Sequence, residues 1–229
     1  MKKDFLDNCL TEVKNKVDVA DKNTSSQRML FKQGFSFSGY PKPEQLIIWN
    51  YIWNKSSDFW ICVQAFLFLE MNIKDKDFLA DSWETIKKWQ KKVDNWGTCD
   101  ALSKIYTKVL EIIPDKVLEQ LKLWNKSEKL WDKRQSLVSL LYFSRTKNIV
   151  LPYETIIPFV SELIHDKEHY VQKGVGWTLK ELHRVYPHKT LKYIEENILN
   201  ISAVAFSSAI EKIEKADKNR LKKIRKLGY

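Results

Sequence analysis

Apolar side chains recur every three to four residues along most of this chain, which is the period of an α-helix, and strand-like alternation is absent. Pro114, Pro152 and Pro187 each stand where a new helix is expected, because proline in a first helical turn costs no hydrogen bond. A break in the last helix, near Ala216 and Asp217, is left open by the pattern. The pattern predicts an all-α protein with helices near residues 3–17, 25–34, 43–54, 57–71, 76–92, 96–112, 115–125, 129–146, 153–164, 168–185, 189–198 and 203–225.

Four aromatic residues recur at a nearly constant interval, each close to the start of a predicted helix. Trp60, Trp96, Trp131 and Tyr170 are separated by 36, 35 and 39 residues. A period in this range is typical of stacked helix pairs, in which each unit buries its apolar face only against its neighbours. Residues 1–229 are therefore predicted to form a single domain, a HEAT-like or ARM-like α-α superhelical solenoid with a concave groove for a partner.

Charged residues follow three of these aromatic residues by about one helical turn. Asp100 comes four residues after Trp96, and Arg134 and Lys173 each come three residues after the aromatic residue of their own repeat. Positions three or four apart share a helix face. One acid and two bases are therefore expected along one side of the stack, and that side is the candidate site.

Two glycines lie inside the helical pattern of YVQKGVGWTLKEL. Gly174 and Gly176 each cost a helix about 0.8–1 kcal/mol relative to alanine, so some other interaction must offset that cost. Either another helix packs very close to them, or a ligand backbone approaches Gly174. The neighbouring Lys173 favours a phosphate contact.

The charge of the chain favours an anionic partner. Its 39 Lys and Arg residues exceed its 29 Asp and Glu residues, for a formal net charge of +10. Such a field attracts polyanions, of which nucleic acid is the commonest large one in the cytosol. Eight basic residues lie in the segment 212–226, which is either a solvated terminal helix or a tail that contacts phosphates.

Cysteine and histidine usage argues against disulfides and metals. Cys9, Cys62 and Cys99 are scattered and odd in number, which suits the reduced thiols of a cytoplasmic protein. No Cys or third His accompanies His165 and His169, so neither a metal nor a cofactor is expected. No stretch is long and apolar enough to cross a membrane, and the N-terminal MKKDFLDNCLTEV lacks the apolar core of a signal peptide.

Three motifs carry a resemblance to a known family. WGTCD, LWDKRQSL and YVQKGVGWTLKEL occur in this order and spacing, and MLFKQGFSFSGYPKPEQ contains an F-x-F-x-G-x-x-x-P segment. Together they resemble the AlkD-type DNA alkylation repair family, which are HEAT-like repeat DNA glycosylases that remove positively charged N3- and N7-alkylated purines. The resemblance covers most of the chain. It implies action on double-stranded DNA that contains alkylated purines, without full extrusion of the base into a pocket. A concave monomer is the assembly expected by default.

The resemblance implies three catalytic residues. Trp96 matches the family's first cleft tryptophan, Asp100 its catalytic aspartate, and Trp177 the second tryptophan that flanks the lesion nucleotide. Each also has a structural interpretation: Trp96 as a core residue, Asp100 as an acceptor for first-turn amides, and Trp177 as filling between helices.

The resemblance also implies four DNA-binding residues. Arg134 matches the arginine beside the backbone of the lesion strand, and Lys133 lies next to it in the same motif. Lys173 and Gly174 fall where their helix approaches phosphates in the family.

The chain also departs from the family pattern. Leu30 stands where the family's tyrosine is expected, and ISAVAFSSAIEKI lacks the basic residues that usually precede its alanine. For Arg134, the structural alternative is a surface ion pair with Asp132 or Glu128.

Three classes of function remain. The first is a DNA glycosylase that hydrolyses the N-glycosidic bond of alkylated purines; the second is a non-catalytic DNA-binding paralogue on the same fold; the third is a HEAT-like scaffold for a protein partner. Asp100 with both tryptophans favours the glycosylase, since a protein that only binds DNA has little use for a carboxylate facing phosphates.

Overall fold

The computed structural model describes residues 1–228, which are helical almost throughout and include no β-strand. The all-α prediction is therefore confirmed. Two short 3₁₀ segments, Lys87–Lys92 and Ser144–Thr146, accompany the α-helices. Those α-helices are α1 Lys3–Val19, α2 Thr24–Gln33, α3 Lys42–Lys55, α4 Phe59–Met71, α5 Lys76–Ile86, α6 Trp96–Ile112, α7 Pro114–Asn125, α8 Leu130–Leu141, α9 Tyr153–Leu163, α10 His169–Val185, α11 Pro187–Glu196, α12 Ala203–Ala209 and α13 Lys215–Leu227. None of them is both long and apolar enough to span a bilayer, within the described range.

The chain divides into two compact units, Met1–Asp94 and the residues from Asn95 onward. In the first unit, α1 to α5 enclose an aromatic core around Trp49, which is 1% exposed. The connection between α2 and α3 inserts Phe35 and Phe37 into this core, with ring centroids 5.4 and 5.1 Å from Trp49. Gly34 begins that connection with φ 82°, a conformation that glycine adopts without steric cost. The single-domain organisation stays a prediction.

In the second unit the helices form two rows. Helices α6, α8, α10 and α12 contact one another in sequence, while α7 contacts α6, α8 and α9, and α11 contacts α10. This arrangement is that of stacked helix pairs, as the aromatic period predicts. Trp96, Trp131 and Tyr170 stand at the first or second residue of α6, α8 and α10.

The two glycines of α10 lie against neighbouring helices. A Cβ added at Gly176 would meet the carbonyl oxygen of Ala205 at 2.4 Å, so α12 packs directly on the backbone of α10. A Cβ at Gly174 would meet the Leu137 side chain of α8 at 3.3 Å. The packing interpretation therefore accounts for Gly176, and the small residues of AVAFSSA in α12 allow this approach.

Three predicted helices are shorter than the pattern suggests. The helix expected over 76–92 is α-helical only to Ile86 and continues as the 3₁₀ segment Lys87–Lys92. The helix expected over 129–146 ends at Leu141, where Tyr142 takes a left-handed φ of 46°. The helix expected over 203–225 is broken, but before Lys215 rather than at Ala216 and Asp217. Apolar residues occur within the breaks after Leu141 and before Lys215, where Phe143 packs on Trp177 and Ile213 is buried, so the apolar pattern alone does not locate these two breaks.

The two α10 glycines make a matched pair for a stability measurement. Gly176→Ala should lower the free energy of unfolding by at least about 2 kcal/mol, because its methyl group meets backbone atoms that cannot move aside. Gly174→Ala should stay within about 1 kcal/mol of the wild type, because the flexible end of Leu137 can shift and alanine favours the helix. Urea unfolding of both variants measures the difference. Equal losses would contradict the close approach of α12.

Candidate active site

The candidate site centres on an ion pair between two consecutive repeats. An Asp100 Oδ1 on α6 accepts a hydrogen bond from Arg134 Nη2 on α8 at 2.8 Å. The Arg134 side chain is 6% exposed and that of Asp100 is 28% exposed. The surface ion pair of Arg134 with Asp132 or Glu128 is therefore wrong as an interpretation, because the guanidinium is buried against Asp100.

The same guanidinium reaches a third repeat. Arg134 Nη1 donates to the backbone oxygen of Tyr170, in the first turn of α10, at 3.0 Å. The ring of Tyr170 also packs on that of Trp131, with centroids 5.1 Å apart. Arg134 thus ties α6, α8 and α10 together at the ends that carry the repeated aromatic residues. Its contact with a DNA phosphate stays a prediction.

The electrostatics of the pair are set by burial. Burial raises the pKa of the Asp100 carboxyl above its usual value, and the nearby Arg134 guanidinium offsets only part of that rise. The carboxylate is therefore less well solvated than it would be in water. A further positive charge near its exposed edge would stabilise the ionised form.

Trp96 lies one turn before Asp100 and is 58% exposed, so the core interpretation of Trp96 is wrong. It is the first residue of α6, whose N-terminus is capped by Asn95: the side-chain oxygen accepts from the Thr98 amide at 3.0 Å. Because Asn95 supplies the cap, Asp100 is not needed for the first-turn amides. Its carboxylate accepts the hydrogen bond from Arg134 instead.

Trp177 is held by the loop that follows α8. Its indole Nε1 donates to the backbone oxygen of Tyr142 at 2.6 Å, and the ring of Phe143 meets it edge-on at 4.9 Å. The ammonium of Lys180 lies 4.1 Å from the Trp177 ring centroid and pairs with Glu211 at 3.2 Å. Trp177 is thus more than filling between helices, and one part of its π-surface already faces a cation.

The four DNA-binding candidates occupy different environments. Lys133 pairs with Asp166 at 2.8 Å and its side chain is 19% exposed, so its ammonium already has an acidic partner within the protein. Gly174 is buried, with Arg134 and Leu137 nearest to its missing side chain. Lys173 is exposed. DNA contact at each of these positions stays a prediction, and Lys173 is the one whose charge faces solvent.

Sequence reasoning missed the partners of Trp177. Lys180 lies three residues after Trp177 on α10, so the helical spacing alone could have identified it. Tyr142 and Phe143 gave no such signal, because they lie 35 and 34 residues before Trp177 and only the end of α8 brings them close.

The model of a protein family described as DNA alkylation repair enzyme matches residues 63–213, which include Asp100, Arg134 and Trp177. The chain belongs to the DNA alkylation repair enzyme family. No curated protein sequence matches it significantly.

Several solved structures share the fold of this family member. A protein from Enterococcus faecalis, described as a predicted DNA alkylation repair enzyme, superposes with a TM-score of 0.68 at 16% identity, over 93% of this chain and 97% of the other. AlkD2 from Streptococcus mutans gives 0.57 at 17% identity, over 96% and 97%. The alkylpurine DNA glycosylase AlkC from Pseudomonas fluorescens, bound to DNA containing an abasic site analog, gives 0.57 at 13% identity, over 96% and 65%. At these identities the likeness establishes the HEAT-like helical repeat fold.

The ion pair of this family member can be tested without any substrate. Arg134→Met keeps the apolar stem and removes the guanidinium, so the pKa of Asp100, already raised by burial, should rise further. Carboxyl ¹³C NMR, with the signal assigned by Asp100→Asn, measures the pKa.

Lys133→Met is the matched control, because its ammonium pairs with Asp166 instead. It should leave the pKa of Asp100 unchanged. A pKa that falls or stays constant in Arg134→Met would show that the two groups do not interact in solution.

Proposed function

We propose that this protein is a DNA glycosylase that hydrolyses the N-glycosidic bond of positively charged N3- and N7-alkylated purines in duplex DNA. The observation that carries the proposal is the partly exposed Asp100 carboxylate, held by a buried arginine one turn from an exposed tryptophan. Membership of the DNA alkylation repair enzyme family supports it.

The chemistry of the substrate suits a site with few groups. An alkylated purine cation is already a good leaving group, so no general acid is needed to protonate it. As the bond breaks, the deoxyribose takes on the positive charge of an oxocarbenium ion. What the enzyme must supply is negative charge beside the sugar and a water molecule to attack it.

Asp100 is the group proposed to supply that charge. At about 4 Å from the sugar, a carboxylate would contribute about 4 kcal/mol at an effective dielectric of about 20, or about three orders of magnitude in rate. The Arg134 charge weakens this field, so the figure is an upper one. The carboxylate oxygen that does not bind Arg134 is the one proposed to face the sugar and position the water.

The two tryptophans are proposed to act differently. Trp96, being mostly exposed, can offer a ring face to the cationic sugar or base, worth about 0.5–2 kcal/mol. Trp177 already faces the Lys180 ammonium, so we assign it the role of a wall beside the lesion nucleotide. Lys173 is proposed to contact a phosphate, because its charge is exposed on the same helix.

The decisive experiment measures release of 7-methylguanine from methylated duplex DNA under single-turnover conditions. Asp100→Asn should slow release by up to about three orders of magnitude while duplex affinity stays equal or rises, since a negative charge near phosphates is lost. The wild-type rate should climb with pH through the Asp100 pKa, which burial raises above its usual value, because only the ionised carboxylate acts. The Asn variant should lack this dependence.

Asp115→Asn, an exposed acid in the first turn of α7, is the matched control and should keep the wild-type rate. Release that is unaffected by Asp100→Asn would reject Asp100 as the catalytic group. Tight duplex binding without any base release would favour the non-catalytic DNA-binding paralogue. Efficient excision of hypoxanthine, a neutral base, would contradict the mechanism.

A further inference from the structure

Helix α13 presents a row of lysines that no function described so far uses. Lys215, Lys218, Lys222 and Lys226 follow one another at intervals of three, four and four residues, and so lie on one helix face. We call them the lysine row. All but the half-buried Lys218 are exposed, and none forms an ion pair within residues 1–228.

The two arginines of α13 behave differently, because they fix the helix in place. Arg225 Nη1 donates to the backbone oxygens of Ile198 and Ile201, each at 2.7 Å. Arg220 pairs with Asp217 at 3.1 Å and also with Glu195. Their contacts anchor α13 on the preceding segment and leave the lysine row facing solvent.

The spacing of the lysine row lowers the stability of α13. Like charges four residues apart repel each other along a helix, and Lys218, Lys222 and Lys226 form two such pairs in succession. Of the residues on α13 only Leu221 is buried, so packing offers little compensation. A polyanion along the row would turn the repulsion into attraction.

We propose that the lysine row binds the phosphate backbone of duplex DNA outside the lesion. At about 1.5 Å per residue the row spans about 16 Å, while one DNA strand carries a phosphate about every 3.4 Å along its axis. The four ammonium groups thus span a run of about five to six phosphates. The inference rests on the proposed function, because it takes DNA as the partner of the protein.

The salt dependence of duplex binding tests the proposal. In the Lys218→Gln, Lys222→Gln, Lys226→Gln triple variant, the slope of log K against log salt should become shallower by about 2.7, which is about 0.9 for each lost phosphate contact. The Lys116→Gln, Lys122→Gln, Lys126→Gln triple variant changes the net charge equally, using exposed lysines on or just after α7. Its slope should match that of the wild type.

The outcomes separate this proposal from the proposed function. An unchanged slope, or equal changes in both triple variants, would overturn the lysine row as a DNA contact while leaving the glycosylase intact. A wild-type protein that binds no duplex would overturn both.

A separate observation concerns Glu181, a fully buried carboxylate on α10. Glu181 Oε2 accepts hydrogen bonds from the amide and the hydroxyl of Ser144, at 2.9 and 2.7 Å. Ser144 lies two residues after Tyr142, whose carbonyl accepts the indole N–H of Trp177. Trp177 and Glu181 are one turn apart on α10, so this one helix binds both Tyr142 and Ser144 in the loop after α8.

We infer that Glu181 is a positioning residue for Trp177. Tyr142 has a left-handed φ of 46°, a conformation that costs a non-glycine residue free energy and persists only where surrounding contacts enforce it. By fixing Ser144, the buried carboxylate keeps the Tyr142 carbonyl turned toward the indole. The orientation of the Trp177 ring therefore depends on a group that does not touch it. The catalytic part of this inference rests on the proposed function.

The indole N–H signal of Trp177 in a ¹H–¹⁵N spectrum, assigned with Trp177→Phe, reports this hydrogen bond directly. Glu181→Gln should move the proton signal upfield, as the bond to Tyr142 lengthens, and Ser144→Ala should move it in the same direction by less. Single-turnover base release should fall by about 10- to 100-fold in Glu181→Gln without a comparable loss of duplex affinity.

Thr107→Val is the matched control, because it loosens the same loop at a different anchor. Thr107 Oγ1 accepts from the Lys147 ammonium at 3.0 Å, three residues beyond Ser144. Its Trp177 signal should match that of the wild type. An unmoved signal in Glu181→Gln, or equal movement in both variants, would overturn the positioning role. A moved signal in a protein that releases no base would overturn its catalytic part together with the proposed function.

Discussion

The second unit depends on the burial of one charged side chain. The guanidinium of Arg134, on α8, joins three helices of one row, because it binds the Asp100 carboxylate of α6 and the Tyr170 carbonyl of α10. A buried charge is tolerated only where hydrogen bonds and an opposite charge replace its water. The positions of α6, α8 and α10 therefore have to agree with one another to within hydrogen-bonding distance. A bond of this kind sets the relative register of three repeats, which apolar packing alone would leave less specific.

Helix α10 brings the two sides of this arrangement together. At its start it supplies the Tyr170 carbonyl to Arg134, and two turns later it carries Trp177 and Glu181, which hold the loop after α8. Between them, Gly176 allows α12 to pack on the backbone. A larger residue at that position would separate α10 from α12 and displace the whole helix. The glycines thus belong to the packing that positions the site.

The sequence predicted the elements well and the contacts poorly. Helix bounds follow from the apolar period and from local signals such as Pro114 and Pro187, which stand at the first residue of α7 and α11. The aromatic repeat and its following charges identify the face on which Asp100 and Arg134 lie. Their ion pair joins residues 34 positions apart, and no local rule states which of several acids an arginine will choose. The resemblance suggests a phosphate contact for Arg134, which stays a prediction, and it gives no sign that the same guanidinium pairs with Asp100.

The raised pKa of Asp100 has a consequence for the proposed reaction. Burial disfavours the ionised form of the Asp100 carboxyl, and the ion pair with Arg134 compensates for only part of that cost. A neutral sugar does not stabilise the ionised carboxylate, whereas a sugar that becomes cationic stabilises it as the bond to the base breaks. The interaction is therefore stronger in the transition state than in the ground state, which is the condition for acceleration. Water would stabilise a fully exposed aspartate in both the ground state and the transition state. An aspartate whose charge was fully neutralised would stabilise neither state. The intermediate position of Asp100, partly buried and paired on one oxygen, is what makes it suited to the proposed role.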